Sequence, residues 1–250
     1  MTTYLKEILN RIDKDNGKTF NLLVGKGIID YKEVLVNLLK EGTDEELYKY
    51  LKLVNKLTNE EKELIFDELI RRKSLAYLCM CANEIECAPI EKIERVIIDS
   101  KLPGYIRLFA RTIKGANIHL LEDAIIEVGN AESIYFFAKE NKEINIDKLT
   151  NAIIEKNTAK YIFLFANYVP GANMYFLEEA LINIGDIDVY KEFLEYKESV
   201  QNKIFTDIYD SINSNNLEDL ELNKEKYASL FKEPSSKAKA LIKKINDRGY

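Results

Sequence analysis

Three cysteines and one histidine are the side chains whose chemistry would be easiest to recognise in this sequence. Cys79, Cys81 and Cys87 fall within LCMCANEIEC (Leu78–Cys87) and could supply three thiolates. Structural zinc favours four ligands and wider pair spacing. Residues 79 and 81 of one helix would project about 200° apart, which is poor geometry for a shared ion. An odd cysteine count in a chain of 250 residues is not a disulfide framework either. His119 is the only histidine, so no two-histidine metal site can form, and a histidine-based triad would have to use this residue. LVGKGI (Leu23–Ile28) carries two glycines and a lysine without the GxxxxGK[ST] spacing of a phosphate-binding loop, and is expected to be a turn. Glu122 and Glu178 recur in phase with Thr150 between them, and no second column pairs with them for acid–base work. These acids are expected to be structural or solubilising. The residues therefore point to a protein that is not an enzyme and has no catalytic residue, cofactor or metal.

What organises the chain is a repeat. GANIHLLEDAIIEVGNA (Gly115–Ala131), EINIDKLTNAIIEKNTA (Glu143–Ala159) and GANMYFLEEALINIGDI (Gly171–Ile187) follow one another at intervals of 28 residues. Cys81, Phe109, Phe137, Phe165 and Phe193 form one column at that period. Ile65, Ile93, Leu121, Leu149 and Leu177 form another, and Ala124, Ala152 and Ala180 a third. Aliphatic pairs stand at Leu69-Ile70, Ile97-Ile98, Ile125-Ile126, Ile153-Ile154 and Leu181-Ile182.

Each repeat reads as two short helices. Leu121, Ala124 and Ile125 have the i, i+3, i+4 spacing of a buried helical face. Asn117, Asn145 and Asn173 mark the start of the second helix, where an Asn side chain accepts from orphan N–H groups; Pro89 suits the first turn in the earlier repeat. Gly129, Asn157 and Gly185 mark its end, as residues that tolerate the left-handed conformation. Ser74, Asn130, Thr158 and Asp186 are the expected N-caps of the following first helix, with Pro103 doing duty after Leu102. Start signals, stop signals and apolar columns share one phase, which predicts an all-α fold.

The repeats cover residues 43–214, about six hairpins, as one continuous domain. Residues 1–42 are helical by pattern but fit the period poorly, and residues 215–250 are polar and lysine-rich. Atypical ends are what a stacked array needs to cover its terminal apolar faces. The pattern resembles an α-solenoid of HEAT- or armadillo-like hairpins in compact form, and is similar to helical repeats of bacterial and phage proteins. The resemblance implies a right-handed solenoid that binds a protein partner. It also implies steric inhibition of a larger bacterial complex, of the phage counter-defence type, as a use. The tetratricopeptide pattern is missing, and the chain has no Trp.

Hydrophobic residues at 46% and charged residues at 31% fit a soluble folded protein. The net charge of -6, with both signs interspersed, disfavours a surface that tracks nucleic acid throughout. No apolar run approaches the roughly 18 residues of a membrane span, and the first residues lack a signal-peptide core, so a cytoplasmic location and no membrane partner are expected.

Candidate contact residues are those that leave their column's type. Arg107, Tyr135 and Phe163 share a column; Tyr168 aligns with Thr112 and Glu140; Tyr175 aligns with His119 and Asp147; Phe176 aligns with Leu120 and Lys148. Tyr135, Phe163, Tyr168, Tyr175 and Phe176 are therefore the expected partner-binding aromatics, with packing on the C-terminal segment as the alternative. Lys237, Lys239, Lys243, Lys244 and Arg248 could touch phosphates if the protein were instead a HEAT-like nucleic-acid binder. Ala238, Leu241, Ile242 and Ile245 make an apolar stripe at helical spacing, which favours a capping helix there.

Overall fold

A computed structural model describes residues 15–213 and 236–247, together with Glu7 and Ile12. The described residues are all-α, with 14 helices and no strand. By internal contacts the chain divides into two compact units, Met1–Asn117 and Ile118–Tyr250, where the sequence suggests one continuous domain.

The first unit holds α1 (Lys18–Gly25), α2 (Tyr31–Glu41), α3 (Asp44–Leu53), α4 (Asn59–Arg71), α5 (Leu75–Glu84), α6 (Ile90–Asp99) and α7 (Pro103–Thr112). The second holds α8 (Ile118–Val128), α9 (Ala131–Glu140), α10 (Ile146–Glu155), α11 (Ala159–Tyr168), α12 (Met174–Ile184), α13 (Ile187–Asn213) and α14 (Ser236–Asp247). In the second unit each helix from α8 to α12 packs on the next and on the next but one. The same alternation joins α3 to α4 and α5, and α5 to α6 and α7, in the first.

The 28-residue columns are the core. Cys81, Phe109, Phe137, Phe165 and Phe193 are all fully buried, as are Ile65, Ile93, Leu121, Leu149 and Leu177. A column not singled out above, Tyr50, Leu78, Ile106, Ile134, Ile162 and Tyr190, is equally buried. Truncating one such side chain to Ala costs about 2–5 kcal/mol.

Helix ends follow the expected columns with informative departures. Asn145 and Asn173 accept from first-turn N–H groups as N-caps, and Asn130 and Asp186 do so for the first helices. Ser74 and Thr158 stand at N-cap positions without a capping bond; their hydroxyls donate to Asp44 and to the Lys156 carbonyl instead. Pro89 is the N-cap of α6 rather than a first-turn residue. In the column that ends the second helices, Lys73, Lys101, Asn157 and Gly185 have positive φ, whereas Gly129 does not. Gly129 is required by space: a Cβ there would lie 2.3 Å from the Ile125 carbonyl oxygen. LVGKGI forms the last turn of α1 and the bend after it, with Gly27 at φ 71°.

The final repeat is not a hairpin, because α13 runs unbroken for 27 residues. Lys197 and Ser199 stand where Val169 and Gly171 close the preceding hairpin, so neither the apolar closing residue nor the positive-φ glycine is present to turn the chain. The apolar stripe of α14 is buried at Ala238, Leu241 and Ile245, and α14 packs on α12 and α13.

Candidate functional site

The aromatic residues separate into interior and exposed members. Tyr135 is 3% exposed. Its ring lies 5.0 Å from Phe136 and 6.2 Å from Tyr161, so it is a packing residue, in contrast to the contact expected from its column. Phe163 is half-buried and meets Tyr196 of α13 edge-on at 6.3 Å. The Tyr196 hydroxyl lies 3.4 Å from the carbonyl oxygens of Ala166 and Asn167. Phe163 thus packs within the repeats, on the helix that follows its own hairpin, and no contact of it with residues 236–247 is seen among those described.

Tyr168, Tyr175 and Phe176 are 50%, 40% and 49% exposed, large values for residues of their size. They flank one turn. Tyr168 is the last residue of α11, and Tyr175 and Phe176 are in the first turn of α12. Between them, Val169 is buried and Gly171 has φ 82°. A Cβ on Gly171 would come within 2.9 Å of the Ile146 side chain on α10, so this turn passes close to the preceding repeat. The Tyr175 and Phe176 rings meet edge-on at 5.8 Å, and the Asn173 side chain accepts from both their N–H groups. Lys139 of α9 places its ammonium 4.8 Å from the centre of the Tyr168 ring and 5.7 Å from that of Tyr135. A cation over the ring face holds Tyr168 in place while leaving half of it open. Nothing in the sequence of Lys139 itself marks it for this role.

One position of the repeat, where the acids were expected to be structural or solubilising, holds buried polar groups. Glu94 and Glu122 are 4% and 1% exposed, and Thr150 is 1% exposed. Each glutamate accepts a hydrogen bond from the backbone N–H at the start of the next second helix. Asn117 donates to Glu94 Oε1 at 2.6 Å, and Asn145 to Glu122 Oε2 at 2.7 Å. A charged acceptor makes these among the stronger backbone bonds. Lys148 lies 3.6 Å from Glu122 and also pairs with Asp123. Burial, partly offset by the Asn117 N–H, holds the Glu94 carboxyl above the ordinary range. Glu178 continues the column, taking Tyr190 OH at 3.2 Å and Lys197 Nζ at 2.7 Å. In the first unit the same sequence position holds Phe66, and the residue at the 23-residue offset is Pro89, which has no N–H to satisfy. A recess of about 290 Å³ opens here, lined by Asn59, Lys62, Glu63, Phe66, Cys87 and Pro89.

The thiols do not converge. Cys79 and Cys81 are buried and Cys87 is exposed; burial raises the first two thiols to about 11 and about 12, so they are protonated at neutral pH. His119 is exposed in the first turn of α8. Among the described residues no group of three or more His, Cys, Asp or Glu is placed to hold a metal ion, and no helix is long and apolar enough to cross a membrane. Lys237, Lys239, Lys243 and Lys244 are exposed on α14, with Lys237 donating to Asn183 at 3.1 Å; Arg248 lies outside the described residues. Compared with protein-family models, with curated proteins and with solved structures, the chain gives no significant match.

Proposed function

We propose that the chain is a non-enzymatic protein-binding module, a right-handed α-solenoid of 28-residue hairpins, that takes its partner through Tyr168, Tyr175 and Phe176. The observation that carries this reading is the exposure of three large aromatics around one turn, at 40–50% each. Large exposed aromatics are the usual anchors of protein interfaces. The fit of Gly171 against Ile146 and the Asn173 cap give the turn a defined shape. Likeness to phage helical-repeat proteins suggests steric inhibition of a larger bacterial complex, inside the cell, as the use.

A pull-down from nuclease-treated bacterial lysate tests the module, with wild type beside a Tyr175→Ala/Phe176→Glu variant. The expected result is one stoichiometric protein that the variant loses. Recovery unchanged in the variant would exclude the aromatic turn. A second reading draws on the four exposed lysines of α14, which would favour a phosphate backbone. Recovery that nuclease abolishes, with a steep loss on added salt, would move the assignment there.

A further inference from the structure

Thr150 interrupts the buried column at the hairpin that carries the exposed aromatics. Glu94 and Glu122 reach the N–H of Asn117 and Asn145; Thr150, equivalent in sequence and just as buried, reaches nothing, and its Oγ1 has no hydrogen-bond partner. A hydroxyl on Cβ is two carbons too short to copy a glutamate. Asn173, the residue facing it by the same 23-residue offset, keeps its side-chain cap but gains no carboxylate at its N–H. The change has a counterpart in sequence. Lys148, which lies beside Glu122, corresponds to Phe176, so the repeat that lacks the buried acid also lacks the lysine that would accompany it.

We propose that the junction between α10 and α12 is an adaptable joint: lacking the carboxylate bond of its neighbour, the first half of α12 opens more readily and lets Tyr175 and Phe176 adjust to what they contact. A buried donor or acceptor left unmatched weakens the local structure and is felt first as easier opening. The α8–α10 junction is the internal reference, with the same column residues Leu121 and Leu149 fully buried and the Glu122–Asn145 bond intact. The use of the joint in docking rests on the protein-binding reading; the joint itself does not.

Amide hydrogen exchange on the full chain, corrected for intrinsic rates, tests it. Amides of Leu177–Ala180 should exchange about ten-fold faster than those of Leu149–Ala152, the loss expected for one charge-assisted bond. Thr150→Glu/Phe176→Lys, which copies Glu122 and Lys148, should bring the two segments within about three-fold of each other. Glu122→Thr should move the gap one repeat back and speed exchange in α10 by about ten-fold. Equal protection in the wild type, or an α10 indifferent to Glu122→Thr, would overturn the joint even if the double variant fails to fold. Failure of Tyr175→Ala/Phe176→Glu to lose a partner bears only on the docking role, so the two claims fail separately.

Discussion

The junction between α8 and α10 and the junction between α10 and α12 are built on the same apolar columns and differ, among other positions, at the two that bear on the buried bond. The first has Glu122 below and Lys148 above; the second has Thr150 below and Phe176 above. In the first, a buried carboxylate accepts from Asn145 N–H at 2.7 Å and lies 3.6 Å from Lys148 Nζ. In the second, a buried hydroxyl has no partner and an aromatic ring stands half in solvent. The comparison teaches that a position on the outer face of these helices can either complete an internal polar bond or offer a contact surface. Phe176, half in solvent, is proposed to do the second.

Five substitutions break or sharpen that contrast. Glu122→Ala should cost the most, about 3 kcal/mol, because it leaves Asn145 N–H without its acceptor and opens a cavity; denaturant unfolding measures it. Glu122→Gln, which keeps an accepting oxygen, should lose about 1 kcal/mol. Glu94→Gln probes the junction without a lysine and should have a smaller effect, read in its pH dependence. The folded protein holds the Glu94 proton above the ordinary value of 4.5, so stability falls as pH rises from there through the folded value. The variant lacks that fall, so the wild-type-minus-variant difference in unfolding free energy should decline over that window. A difference that rises with pH would contradict the burial argument. Thr150→Val removes an orphan hydroxyl at nearly constant shape and should change stability by less than about 1 kcal/mol, in either direction. Phe176→Glu, on the exposed side, should shift stability by no more than about 0.5 kcal/mol while removing partner capture.

Glu68 offers a control of opposite sign. Arg71, against the cost of burial and with help from Arg72, holds its carboxyl down at about 2, so its contribution is present above the ordinary carboxylate value of 4.5 and is lost as pH falls toward 2. Glu68→Gln should therefore flatten the acid limb and leave the fall above 4.5 untouched.

Much of the fold was legible because burial and period agree at residue after residue. Every member of the Phe109 and Leu121 columns is fully buried, and Asn145 and Asn173 cap the helices they were expected to cap. What escaped has definite causes. Lys73 and Lys101 adopt positive φ although lysine has no intrinsic leaning to it, so position in the repeat overrides residue type. Tyr135 was grouped with Arg107 and Phe163 by column, but the rings of Phe136 and Tyr161 cover it, and such coverage depends on neighbours outside the column. The acidic column admitted a structural or a solubilising role, and its burial was not legible because carboxylates are usually solvated. Its signal was present in the 23-residue offset that pairs Glu94 with Asn117, Glu122 with Asn145, and Phe66 with Pro89, where the acceptor and the donor are lost together. Tyr168, Tyr175 and Phe176 were legible as exposed aromatics; Lys139 over Tyr168 was not, because the contact joins two repeats.

The most direct test of the exchange between internal bond and surface is a double-mutant cycle on Thr150→Glu and Phe176→Lys, read as unfolding free energy. Thr150→Glu alone places a buried carboxylate beside Asn173 without its lysine, and Phe176→Lys alone places a lysine without its acid. The account predicts that the double variant is more stable than the sum of the single changes by about 1 kcal/mol. Strict additivity would show that the two columns act independently, and would contradict it.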